Sequence, residues 1–204
     1  MRAAVLSLAL VAGLARGADD DADWSASGRA GAVTNYVTRG ITQTWGRPAA
    51  QAEVEIEHRS GLYGGAFLSS VSQRQFPGGR IEIESWAGYE HEIGRDTSLA
   101  LEGVYYAYPG ANYSKGSTCA PGCPSQSFNT LQGRLVGRWH WLTTRFAYTF
   151  GDYFGDSSKS GFTSSTRGTW YWDVNAEYPL PQDSSWKLVG HAGYTRYTAR
   201  LDTG

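Results

Sequence analysis

Residues 169–181, TWYWDVNAEYPLP, divide into two alternating sets. Trp170, Trp172, Val174, Ala176 and Tyr178 form one; Thr169, Tyr171, Asp173, Asn175 and Glu177 form the other. The first set is apolar and the second polar. A period of two is the side-chain period of a β-strand, whose successive residues point to opposite faces. Because the mean hydropathy of the chain is only −0.41, so rich an apolar face needs a partner. The fold therefore turns on which face meets water.

Eight further runs repeat the alternation: 24–37, 49–58, 62–73, 80–92, 97–108, 128–140, 142–151 and 186–198. Glu53, Glu55 and Glu57 oppose Ala52, Val54 and Ile56, and Glu82, Glu84, Glu90 and Glu92 oppose Ile81, Ile83 and Tyr89. Glu102 opposes Leu99, Leu101 and Tyr105. Arg134 and Arg138 oppose Leu131, Leu135 and Trp139; Arg145 opposes Phe146; Lys187 opposes Leu188. The run 62–73 is rich in Gly and Ser, with both faces mildly apolar, and its orientation is open. Connections after odd-numbered runs are mostly long and those after even-numbered runs short, as in transmembrane β-barrels of the bacterial outer membrane. Runs of this length also suit a tilted bilayer crossing of about 9–11 residues, whereas soluble sandwiches favour strands of about 5–6.

The expected fold is thus all-β, an antiparallel up-and-down transmembrane barrel with nine strands present. Its apolar sets face lipid, and its polar lumen is lined by Gln43, Glu53, Glu55, Glu82, Glu84, Glu90, Arg134, Arg138, Arg145, Asp173 and Glu177. Aromatic rings favour both interfaces. Trp141, Tyr178 and Trp186 are expected at the short-turn end, with Tyr36, Phe150, Trp170 and Tyr194 outward at the long-loop end.

Residues 1–18 read as a secretory leader: Arg2, an apolar stretch from Ala3 to Leu14, then small residues for cleavage. Export to the outer membrane follows, with outer-membrane lipid and the barrel-assembly machinery as partners. Residues 19–204 make one domain. A formal charge of −1 offers no basic footprint for nucleic acid. Cys119 and Cys123 are expected to pair as a local staple in an oxidising compartment. Two thiols without a third ligand nearby do not suggest a metal, and no cofactor is expected. Single-chain bacterial barrels have an even strand number, so the nine runs predict that further C-terminal strands are missing from this sequence.

Several blocks resemble one family: NYVTRGITQTWGRPAAQ (35–51), SGLYGGAFLSSV (60–71), IEIESWAGYEHEIG (81–94), LEGVYYAYPGA (101–111), FAYTFGDYFG (146–155), GTWYWDVNAEYPLP (168–181) and HAGYTRY (191–197). They are similar to the proteobacterial proteins of unknown function called Gcw_chp, also named TorF-family porins. Tyr36, Arg39, Gly40, Ile41 and Gln43 followed by Pro48 and Gln51 carry the strongest likeness. Departures are Asn35 and Thr38, where the family more often has an acidic residue and an aromatic, and the Cys pair. The resemblance implies about three more C-terminal strands, twelve in all, and brings no catalytic residues and no established substrate.

A small porin for small polar solutes is the first reading, because twelve strands enclose a wider lumen than eight, whose side chains just fill it. The alternative is a structural barrel whose lumen charges pair and close it. Arg39, flanked by Gly40 in the first long connection, either folds inward to narrow the pore or holds the loop through hydrogen bonds. An enzyme is not expected, since His58, His91, His140 and His191 are scattered and lack a nucleophile context. A secreted β-sandwich that binds sugars is the remaining reading, and the strand and loop lengths oppose it.

Overall fold

The computed structural model describes residues 12–17, 23–117, 123–180 and 186–202. The strands are β1 (Ala12–Gly17), β2 (Trp24–Val33), β3 (Val37–Thr38), β4 (Ile41–Thr42), β5 (Ala49–His58), β6 (Leu62–Ser70), β7 (Ile81–Gly94), β8 (Thr97–Ala107), β9 (Thr130–Trp139), β10 (Leu142–Thr149), β11 (Trp170–Pro179) and β12 (Lys187–Arg196). One turn of 3-10 helix, Tyr113–Lys115, lies between β8 and β9. Ten strands form a single sheet in the order β1-β2-β5-β6-β7-β8-β9-β10-β11-β12, and β3 and β4 form a separate hairpin. Every pairing is antiparallel. The protein is an all-β meander, and β1 and β12 remain edges because the sheet does not close on itself.

All nine expected runs are strands, and β1, from within the stretch read as a leader, adds a tenth by pairing with β2. The first run stops at Val33, short of 37. There the chain turns into the concave side of the sheet, so Tyr36 is not an outward interface ring. It packs edge-on to Phe67, with centroids 5.9 Å apart, and joins the cluster around Phe76, Val104 and Tyr108.

Register makes the two faces visible as rungs. Across β6 to β12, Leu62, Tyr89, Leu101, Leu135, Phe146, Trp172 and Tyr194 stand directly opposite one another in succession. All seven are exposed. The next rung in the same strands runs Tyr63, Gly88, Glu102, Arg134, Ala147, Tyr171 and Thr195. This rung faces the concave side, where Glu102, Ala147 and Tyr171 are buried. A one-residue slip would exchange the rungs, so the apolar and polar sets together pin the register.

The ambiguous run resolves as β6 with Tyr63, Gly65, Phe67 and Ser69 on the concave side, opposite outward Leu62 and Leu68. Its glycines have a packing reason. A Cβ on Gly65 would lie 2.4 Å from the Trp86 ring and 2.5 Å from the Val54 carbonyl. Trp86 therefore lies across β6, and its Nε1 donates to Glu55 Oε2 at 3.1 Å.

Candidate functional site

The concave face is built in layers, beginning at the short-turn end. There Glu55, Glu57, Glu90 and Arg138 border an open hollow of about 580 Å³. Arg138 Nη1 donates to Glu90 Oε2 at 2.6 Å, and Ser98 bonds the other oxygen of that carboxylate. On the neighbouring strands Arg29 meets Glu53 directly opposite, at 2.7 Å. Lys187 reaches Glu177 at 2.9 Å, with both side chains mostly exposed.

Deeper in, Arg134 of β9 sits between two carboxylates. Its Nη2 donates to Glu84 Oε1 at 2.9 Å. Its Nε lies 2.9 Å from Glu102 Oε2, an ion-pair contact without hydrogen-bond alignment. Tyr63 closes the group by donating to Glu102 Oε1 at 2.6 Å. The three charged side chains are 14%, 17% and 8% exposed for Arg134, Glu84 and Glu102. The acidic strand β7 and the basic strand β9 are thus not opposed across a gap. Only β8 separates them, and their charges pair locally. Arg145 of β10 is the exception, lining a chamber of about 330 Å³ with Asp173 and His191 and making no ion pair among the described residues.

Above that chamber comes the hairpin β3–β4. Arg39 has φ 50° and Gly40 φ 78°, both in the left-handed region, so the two form the tight turn that favours right-twisted hairpins. Gly40 is suited to this backbone; Arg39 is a strained occupant. Asn35 anchors the hairpin base: its Oδ1 accepts from Thr42 Oγ1 at 2.7 Å, Thr44 Oγ1 at 3.0 Å and the Gly46 amide at 3.1 Å. A carboxylate would serve these three donors equally. Gln43 is buried within the same hairpin and donates to the Ile41 carbonyl at 2.9 Å.

The turn delivers the Arg39 guanidinium onto the sheet. It donates to Gln132 Oε1 at 2.8 Å, Tyr153 Oη at 3.1 Å and Tyr106 Oη at 3.3 Å. Its carbon lies 4.6 Å from the Tyr171 ring centroid and 5.4 Å from that of Phe154, within cation–π range. Gln132, itself fully buried, is fixed by donating to Thr149 Oγ1 at 2.9 Å. Arg39 lines both the chamber below and a small aromatic-walled cavity above. It stands between the two.

The residue pattern described as "Bacterial protein of unknown function (Gcw_chp)" matches residues 17–203. The chain belongs to the Gcw_chp family. No curated protein and no solved structure matches it. In this Gcw_chp chain Tyr36, Arg39, Gly40, Ile41 and Gln43 lie in or beside the inward hairpin, whereas Pro48 and Gln51 lie before and within β5. Sequence reading missed Tyr106, Gln132, Tyr153 and Tyr171 as the partners of Arg39; Gln132 and Tyr171 stand in polar sets, but nothing local says what they meet. The expected Cys119–Cys123 staple falls partly outside the described residues, which include Cys123 but not Cys119. Among the described residues no group of three side chains is placed to hold a metal.

The connection 150–169 between β10 and β11 caps the hairpin, with Tyr153 bonded by Arg39, and carries a titrating group. Burial pushes the Asp156 carboxyl up to about 6, against a hydrogen bond from Tyr197 and aided by the charge of Asp152. An unfolded Asp titrates near roughly 4, so the folded cap binds the extra proton between those values. Its contribution to stability is full below about 4 and is lost as pH rises through about 6. Protection of the amides of residues 150–169, taken relative to the intrinsic exchange rate at each pH, is therefore expected to be lower at pH 8 than at pH 5, and Asp156→Asn is expected to remove that difference.

Proposed function

We propose that this chain forms the wall of a small outer-membrane channel for small polar solutes, a TorF-type porin, with the Arg39 hairpin as its constriction. The observation that carries this reading is the inverted sheet: an uninterrupted exposed apolar rung from Leu62 to Tyr194 beside a concave rung with Glu102 and Arg134. Such a surface is suited to lipid outside and water within. Rings at the short-turn end support it: Trp141 and Tyr178 meet edge-on at 5.4 Å and are exposed, as Tyr and Trp are at headgroup depth. No helix among the described residues is long and apolar enough to cross a membrane, which leaves crossing by strands unaffected. The apolar leader-like stretch supports export.

Planar-bilayer recording of the full-length protein tests the channel. Single-channel steps are expected, and Arg39→Ala is expected to enlarge them severalfold by opening the proposed constriction. A second reading, a closed structural barrel without transport, is favoured by the pairing of Arg134 and Arg138 with glutamates and by the aromatic cap. If neither the parent nor Arg39→Ala conducts at any voltage, the channel reading fails and the closed barrel takes its place.

A further inference from the structure

At the long-loop end of the sheet, where β5 begins, β6 ends and β7 begins, lies an open hollow of about 520 Å³. Arg47, Arg74 and Arg80 line it together with Thr44, Ser70 and Ser72, and no carboxylate does. All three arginines are exposed, and none makes an ion pair among the described residues. The walls are fixed by the backbone. The Val71 amide donates to the Arg80 carbonyl at 2.9 Å and closes the β6–β7 connection, while the Ser72 amide donates to the Gln43 carbonyl at 2.9 Å and ties that connection to the inward hairpin. Buried Phe76 anchors its far side.

Two of the guanidinium groups are held in place from the side. In the orientation that satisfies both groups, the Gln73 amide oxygen accepts from Arg80 Nε at 2.9 Å and Nη2 at 3.2 Å, which leaves the Nη1 donors to the hollow. The Arg74 guanidinium carbon lies 5.4 Å from the Trp45 ring centroid, within cation–π range. Trp45 has φ 54°, a costly backbone for a bulky residue, and the bond from the Gly46 amide to Asn35 Oδ1 at 3.1 Å holds the turn that presents its exposed indole. Three cations share one concavity, and nothing in its lining offsets them.

The outward apolar face begins directly beneath. Ser70 stands opposite Ile81, and Leu68 follows two residues down the same outward set, roughly 7 Å along the strand. Both Ile81 and Leu68 are exposed. A ligand seated in the hollow therefore meets cations at one end and apolar surface at the other. A free anion would use only the first of these; an anionic amphiphile uses both.

We propose that this hollow binds the phosphate headgroup of an anionic membrane lipid, whose acyl chains lie over Ile81 and Leu68. Guanidinium groups match phosphate oxygens with paired N–H donors, and an exposed indole beside them suits headgroup depth. The inference rests on the reading of the outward face as lipid-facing and is independent of conduction.

Isothermal titration of the full-length protein in detergent micelles tests it, with dioctanoyl phosphatidic acid as the probe and dioctanoyl phosphatidylcholine, glycerol 3-phosphate and inorganic phosphate as comparisons. Saturable one-to-one binding is expected for phosphatidic acid, with both water-soluble phosphates at least tenfold weaker and phosphatidylcholine not binding. The triple variant Arg47→Gln, Arg74→Gln and Arg80→Gln is expected to weaken phosphatidic acid at least tenfold. Arg95→Gln, which removes an exposed arginine from the β7–β8 turn at the opposite end, is expected to leave it unchanged. Heat-modifiable gel migration checks that each variant is folded. Equal affinity for either water-soluble phosphate would make the ligand a free anion and overturn the proposal. So would absence of saturable binding in the parent, an unchanged affinity in the folded triple variant, or an equal loss in Arg95→Gln. Reconstitution into phosphatidylcholine vesicles separates this inference from the one it rests on. Insertion without selectivity for phosphatidic acid overturns the headgroup site and leaves the lipid-facing surface standing, whereas failure to insert overturns that surface and the lipid ligand together.

Discussion

Arg134→Ala is expected to destabilise the folded protein by about 3–5 kcal/mol, the order seen when one partner of a buried ion pair is removed. The residue touches both Glu84 and Glu102, and all three side chains are under one-fifth exposed. Truncation leaves two carboxylates facing each other with only Tyr63 to satisfy one of them. Urea unfolding in phospholipid vesicles reads the loss as a lower midpoint. A triple variant, Arg134→Met with Glu84→Gln and Glu102→Gln, is expected to recover most of it, because the cost lies in the orphaned charges. Lys187→Ala, whose partner Glu177 is at an exposed end, is expected to leave the midpoint unchanged. A loss below about 1 kcal/mol for Arg134→Ala, the range of solvated pairs, would mean that water fills the concave face at this level.

Leu101→Arg is expected to cost about 2–4 kcal/mol in a bilayer, the penalty for a cation on the lipid face near the midplane of a barrel. Leu101 is 67% exposed, lies midway along β8 and stands between Tyr89 and Leu135. The substitution distinguishes lipid from water on that face. Were the face solvated, an exposed Leu→Arg change would stay within about 0.5 kcal/mol and raise solubility. Parallel unfolding in vesicles and retention of folded migration on gels decide between these outcomes.

These two substitutions fall on adjacent rungs of the same strands, and they show how far sequence reading reaches. Alternation assigned Leu101 outward and Arg134 inward, because side-chain direction in a strand is a local property with a period of two. The same logic placed β5, β7, β8, β9, β10, β11 and β12 and their loops to within a few residues. It did not orient β6, whose Gly65 is legible only once Trp86 of the neighbouring strand lies across it. It also expected Tyr36 on the outside, since nothing near that residue announces that the chain leaves the sheet at Val33.

The pair of faces, the meander and the rich inward complement of acids and bases all follow from spacing along the chain. Which acid meets which base is a property of the assembled sheet. The folded sheet also brings Arg39 to Tyr153, Asn35 to the base of its hairpin, and Tyr108 to the buried Glu82 carboxylate. Those outcomes depend on register between strands and on the volumes that fold over the concave face, and both are set by residues far apart in the chain.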